Sequence, residues 1–325
     1  MAGEDAAGAP AGPAVEGPLP LVALRYTLGP RTVVADLAGV SVVRTATRPD
    51  TVEGNALHLH AAPRPGDVAR LLGLWDDRFG GLPGIEHVRV RWVEPADRDP
   101  AELAALVEEA TRAGLAVDTA THLELDAPVG VEPAVGVELV APDDPRRWHG
   151  AAVLYRHGGW DGDDTGARDR DELWAWRVDG WRVLAEQGRG LTRLALRHGT
   201  PVGVASLAWD PKLDLAAHDR GHAGLAAVSD VLVHPAHHGT GVEATLVAGV
   251  VGDLLDGHPR ALVTARTSSV VLPPAGEGPG PGPVPGAVLD DGGVPTPPAH
   301  AAAGAVTHRL LGFRPTATLG GLRRR

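Results

Sequence analysis

Between Val228 and Val247 the chain has to switch from a strand to a helix within one short loop. Val228-Ser-Asp-Val-Leu-Val233 reads as a buried strand, Gly239 and Gly241 occupy the loop, and a helix begins near Gly241. N–H groups at the start of a helix have no partner inside it. The helix dipole adds partial positive charge there. Glycines let that backbone approach an anion closely, so the segment predicts a phosphate cradle on an α/β framework.

Two nucleotide motifs compete for this cradle. The P-loop needs Gly-x-x-x-x-Gly-Lys-Ser/Thr. The single lysine of the chain, Lys212, lies elsewhere, so that motif is excluded. Gly239-Thr-Gly241-Val-Glu-Ala244 does match the Gly-x-Gly-x-x-Gly/Ala of dinucleotide-binding folds. There, however, the strand runs almost directly into the first glycine and opens a series of βαβ units. Here Pro235-Ala-His-His238 intervenes, and one further strand and helix follow. Arg266 is within reach of the ribose-reading role such a fold requires.

Val233-His234-Pro235 followed by His238-Gly239-Thr240-Gly241-Val242-Glu243 resembles the coenzyme A-binding motif of the GNAT acetyltransferase superfamily. In that motif a strand ending Val-x-Pro leads into Arg/Gln-x-x-Gly-x-Gly/Ala. His238 stands where Arg or Gln is usual, and Glu243 where Gly or Ala is usual. The elements around it follow the family order: a strand over 137–140, helices over 143–157 and 168–187, and a hairpin of 191–197 and 201–209 around His198-Gly199-Thr200. A short strand over 261–265 and a helix over 299–311 come next, and Leu311-Gly312-Phe313 resembles the signature that opens the last strand. The resemblance covers about 136–325.

That resemblance implies acetyl-CoA as cosubstrate and an amine, small molecule or peptide, as acceptor. It implies a pyrophosphate held at His238, Gly239, Thr240, Gly241 and Val242, and a backbone N–H near Leu232 or Val233 for the thioester oxygen. Many relatives carry a tyrosine four residues before the Gly of Leu-Gly-Phe as the acid for the leaving thiolate; here His308 takes that position. Trp174 and Trp181, seven apart on one helix face, fall in the region that lines the family's acceptor site, with core packing as the alternative. Trp160 and the acidic loop Asp161, Asp163 and Asp164 lie close by.

Asp230 follows from chemistry alone. A carboxylate in the middle of an apolar strand must face a cleft, find a partner or shift its pKa. It is the first candidate for the base, with a structural hydrogen bond as the alternative, and Ser229 is the weaker choice. His234, His237 and His238 crowd the loop, but a pyrophosphate accounts for them, and no metal is expected. His58-x-His60 reads as a solvent-facing strand pair.

Residues 53–126 repeat the order of 224–319: strand, helix, strand, helix, strand. The ends also correspond, Gly114-Leu-Ala-Val-Asp-Thr-Ala-Thr121 against Gly312-Phe-Arg-Pro-Thr-Ala-Thr318. The chain is therefore expected to be a tandem of two GNAT-like α/β (α+β) units, each a mixed central sheet flanked by helices. The expected divisions are a disordered tail 1–17, a degenerate first unit 18–126, a linker 127–135 and a second unit 136–325 with a Gly/Pro-rich insertion at 270–298. Apolar runs within 20–47 are expected to supply the early strands of the first unit. Its strand-to-helix turn, Ala61-Ala-Pro-Arg-Pro-Gly66, lacks the paired glycines, and two prolines remove donors, so it is not expected to hold coenzyme A.

The formal charge of −11 over 325 residues argues against nucleic acid or an anionic membrane as partner. No apolar run is long enough to span a bilayer, and no signal peptide is expected from the first residues. With no cysteines, disulfides and thiolate chemistry are excluded, and a cytoplasmic setting is expected. The preference for Arg over Lys with abundant Ala, Gly and Pro matches high-GC coding of actinobacterial type. Oligomeric state is open, and a homo-oligomer is compatible with the sequence.

Overall fold

A computed structural model of the chain describes residues 17–128, 130–157, 167–211, 213, 222–267, 270–272 and 311–324. The first half runs α1 (Leu19–Tyr26), β1 (Val33–Leu37), β2 (Val40–Arg44), β3 (Asn55–Leu59), α2 (Val68–Phe79), β4 (Arg89–Glu94), α3 (Pro100–Arg112) and β5 (Leu115–Leu125). The second runs β6 (Val137–Val140), α4 (Pro145–His157), α5 (Ala167–Glu186), β7 (Gly190–Arg197), β8 (Thr200–Asp210) and β9 (Leu225–Val233). It continues through α6 (Val242–Gly257), β10 (Leu262–Arg266), β11 (Val270–Val271) and β12 (Phe313–Arg324).

Local chemistry sets most of these limits. Asp99 caps α3 by accepting a hydrogen bond from Ala101 N (2.8 Å), and Pro100 fills the first position, where its missing N–H is no loss. His198 and Gly199 both have positive φ (51° and 77°), as a two-residue hairpin turn requires, and so β7 folds back on β8. α1 has no counterpart in the sequence expectations. Pro20 sits in its first turn, and its Leu21, Val22, Ala23 and Leu24 are buried.

The strands form one twelve-stranded sheet in the order β1-β2-β3-β4-β12-β5-β10-β9-β8-β7-β6, with β11 paired to β5. β12, expected with the second unit, lies between β4 and β5 and pairs antiparallel with both. β5 in turn pairs antiparallel with β10. The first series and the described elements of the second follow the expected order, but their sheets are continuous. The first residues of the expected insertion, Val270 and Val271, pair with Thr119 and Asp118 of β5. Most of the insertion, the tail 1–16, Trp160, the acidic loop, the expected helix up to residue 310 and His308 lie outside the described residues.

α2 and α3 cover one face of the first half, with Leu57, Val90, Trp92, Leu106, Val117 and Leu322 in that core. α6 covers the same face further along, its Leu246 and Val250 packing over Ala226, Val228 and Phe313. The opposite face carries α4 and α5 over Leu194, Val204 and Leu232, and α1 over Leu225 and Leu262. His58 belongs to that opposite face but has no exposure at all, which corrects the expectation of a solvent-facing pair.

Candidate functional site

The site begins where two neighbouring strands part. β9 and β10 run parallel and pair only from Leu225 to Ala227, against Leu262 to Thr264. From Val228 onward β9 has no strand on that edge among the described residues, while β8 still holds its other edge. Ser206 pairs with Asp230 and Leu207 with Val228, so Ser229 is the extra residue of a β-bulge that bends β9 at the point of parting. His234 N donates to Val202 O on the β8 side (2.9 Å). Alternation along the strand then turns the N–H groups of Val231 and Val233 toward the open edge and that of Leu232 toward β8. Of the two residues expected to serve a thioester oxygen, Val233 turns its N–H to the open edge and Leu232 turns its N–H to β8. The Leu232 side chain packs with Trp174 and Leu194 instead.

The open edge leads into the loop. His238 Nε2 donates to Val233 O (2.8 Å), folding its imidazole back over the strand end. Thr240 Oγ1 donates to His237 O (2.7 Å). Gly239 and Gly241 have φ of 72° and 82°, the left-handed region that other residues avoid. Gly241 is the N-cap of α6 with no side-chain capping bond, and the space above Gly239 is empty to 4 Å. Among the described residues nothing accepts from the backbone N–H of Gly239, Gly241 or Val242. The result is a helix N-terminus with unsatisfied donors beside an open strand edge, which suits a phosphate. Arg197, which sequence spacing could not single out, donates to His237 Nδ1 (3.2 Å) and Val135 O (3.2 Å) and fastens the loop to the linker.

The corresponding turn of the first half is closed by its own chain. The Glu109 carboxylate on α3 accepts from Gly66 N (2.6 Å) and Val68 N (3.1 Å), placing an anion of the protein where a phosphate would go. The prolines of the turn were visible in the sequence; the carboxylate that occupies it was not.

Asp230 is 3% exposed and already occupied. Arg177 grips it with two bonds (Nε to Oδ2 and Nη2 to Oδ1, both 2.8 Å), and Trp181 Nε1 donates to Oδ2 (2.8 Å). Three donors, two of them from a guanidinium, occupy both oxygens of this carboxylate. Its effect in the structure is to fix α5 to β9. Trp174 and Trp181 are 5% and 3% exposed and form part of the packing between α5 and the sheet.

A second polar layer lies on the same face in the first half. Glu53 accepts from Arg89 Nη2 (2.6 Å) and Arg91 Nη2 (2.5 Å), and Asp118 from Nη1 of both (3.0 and 3.1 Å). Gly321 of β12 makes room for them, since a Cβ there would strike Asp118 Oδ1 and Arg91 Nη1. Burial alone would raise the Glu53 carboxyl, but Arg89 and Arg266 hold it below its ordinary value. Beside them burial, with Arg25, lowers the His58 imidazole to about 3, and neither ring nitrogen has a partner.

No family model and no curated protein matches the chain. Solved structures do. A Staphylococcus epidermidis protein of unknown function superposes with a TM-score of 0.59 at 9% identity, over 91% of this chain and 94% of that one. A GCN5-related N-acetyltransferase from Kribbella flavida gives 0.52 at 16% identity, over 95% and 96%. The chain has the GNAT fold. In this GNAT fold the parted strands are β9 and β10, and the helix after the glycine loop is α6. The fold is doubled, with a first series of elements whose equivalent turn Glu109 occupies. Among the described residues no three His, Asp or Glu gather as metal ligands, and no helix is long and apolar enough to cross a membrane.

Proposed function

We propose that the second half binds the pyrophosphate of an acyl-coenzyme A, with acetyl-CoA as the simplest case, and transfers the acyl group to an amine. The observation that carries this reading is the junction of an open strand edge with a two-glycine helix N-terminus whose donors are unmet. The cradle donors are the N–H groups of Gly239, Gly241 and Val242, with His238 and Thr240 shaping the loop. The two amides of the pantetheine arm would find partners on the open edge at Val231 and Val233. A nearby N–H from that edge would also stabilise the oxygen of the thioester as charge develops.

The chemistry then requires the amine nitrogen to lose a proton and attack the thioester carbon. The C–N bond forms, the C–S bond breaks with its electrons going to sulfur, and the thiolate takes up a proton. In this reading His308 supplies that last proton. Asp230, bound by Arg177 and Trp181, acts as an anchor rather than as the base. That same saturation is the observation favouring a second reading, a coenzyme A-binding or protein-interaction module without catalysis.

Calorimetric titration with acetyl-CoA, NAD and NADP tests the first reading. Saturable binding of acetyl-CoA alone is expected, with loss of at least about tenfold in affinity for Gly241→Glu, which places a carboxylate in the cradle. Binding of NAD, or of nothing, would refute it. Thiol release with a panel of primary amines, repeated with His308→Ala, separates the enzyme from the silent module.

A further inference from the structure

The sheet ends at β1, which among the described residues is paired only with β2. The bonds of β2 fix which groups of β1 face outward. His60 N donates to Gly39 O (3.0 Å), so the peptide groups of Gly39 point toward β3. Alternation then sends those of Ser41 and Val43 to β3 and those of Val40, Val42 and Arg44 to β1. Their partners on β1 are Leu37, Ala35 and Val33. A two-residue turn at Ala38-Gly39 (Gly39 φ 77°) requires the same phase, with Leu37 and Val40 as its bonded pair. The N–H and C=O groups of Val34 and Asp36 are left pointing off the edge.

The side chains divide in step. Val33, Ala35 and Leu37 share the face on which Val40 and Val42 join the core of the first half. Val33 is 68% exposed and Leu37 36%, two of the three exposed large hydrophobic side chains among the described residues. The other face carries Val34 and Asp36, and the Asp36 carboxylate turns back to Ser41 Oγ and to Arg25 Nη1 (3.4 Å). The usual protections of a sheet edge are missing. The pairing with β2 has no bulge, and Val33-Val-Ala-Asp-Leu37 contains neither lysine nor proline.

A second β1 laid antiparallel, with Ala35 opposite Ala35, answers all of these features together. Val34 then faces Asp36 of the partner subunit, and their outward N–H and C=O groups close two bonded pairs, four hydrogen bonds in all. Val33 meets Leu37 of the partner subunit on either side of the alanine pair, so the apolar strip runs unbroken from one core to the other. The one charged side chain of the strand stands opposite valine, so no like charges meet. β6, at the other end of the sheet, has only four residues, and joining it to β1 would string copies into a filament that never closes. We propose that β1 is a dimerisation edge, where two copies of the chain join antiparallel about Ala35 into one continuous sheet. This is independent of the coenzyme A reading.

Sedimentation velocity of the full chain over a range of concentrations tests it. A dimer is expected with a dissociation constant on the order of 10 µM, the weak end for so short an interface. Val34→Pro removes an outward N–H and leaves the bonds to β2 intact, a placement that edge strands tolerate. Each dimer loses two of its four bonds, and dimerisation should weaken at least about 30-fold. Val33→Glu with Leu37→Glu in one chain, and Val33→Lys with Leu37→Lys in another, change only exposed positions. Each alone should be monomeric, because like charges then face each other across the pair, and their equal mixture should dimerise. A wild type that stays monomeric, a dimer indifferent to Val34→Pro, or a mixture no more associated than its components overturns the proposal. Polymers that lengthen with concentration would also overturn it, by pairing β1 with β6.

Discussion

His58 is a neutral imidazole confined beneath the first half of the sheet, with its pKa lowered from an ordinary 6.5 to about 3. The unfolded chain takes up a proton near 6.5 and the folded chain does not until about 3. Between those values the unfolded state binds more protons, so stability falls as the pH is lowered through that window, by at most about 1.4 kcal/mol per pH unit from this residue. Urea midpoints measured from pH 7 to pH 4 should fall less steeply for His58→Leu than for wild type; parallel curves would refute this account. Asp230 shows how far such single-residue properties can be read from sequence. A carboxylate within Val228–Val233 signalled that a partner or a cleft was needed. That its partner would be Arg177, 53 positions earlier on α5, depends on how α5 crosses the sheet. The same holds for Glu109 and Arg197, whose contacts come from elements far apart in sequence.

At the scale of elements, the α2 N-terminus shows one donor set answered internally. Glu109→Ala leaves the N–H groups of Gly66 and Val68 without their charged acceptor and is expected to cost about 1–2 kcal/mol in urea denaturation. The number of acetyl-CoA molecules bound per chain should not change, because Pro63 and Pro65 still interrupt that turn. Binding of a second equivalent would show that Glu109 alone silences the first half. Elements with a strong local signal were legible in the sequence. β5 and β6 have the expected bounds, and α6 begins one residue after Gly241 as the glycine pair required. α1 was missed because Leu19-Pro-Leu-Val-Ala-Leu carries no polar face to display a helical period; it is buried between the halves. Pairing was also illegible: the likeness of 114–121 to 312–318 was visible, but not that these strands would lie side by side.

For the whole molecule, β12 decides how the halves depend on each other. β4 and β5 are not neighbours, and β12 is what joins them. Residues 17–126 alone therefore lack the middle of their own sheet and should remain unfolded by far-UV circular dichroism. The full chain should unfold in a single calorimetric transition. A cooperative transition for 17–126 alone, or two transitions for the full chain, would show that the halves are independent. The order of the strands also bears on how the protein is made. β5 leaves the ribosome well before β12, and at 5–20 residues per second the interval is roughly ten to forty seconds. Throughout that time β4 and β5 present unpaired edges to the surrounding solution, and an exposed edge will pair with whatever strand reaches it first. The slot that later joins the halves is, during translation, the place where a chaperone or a neighbouring nascent chain can intervene.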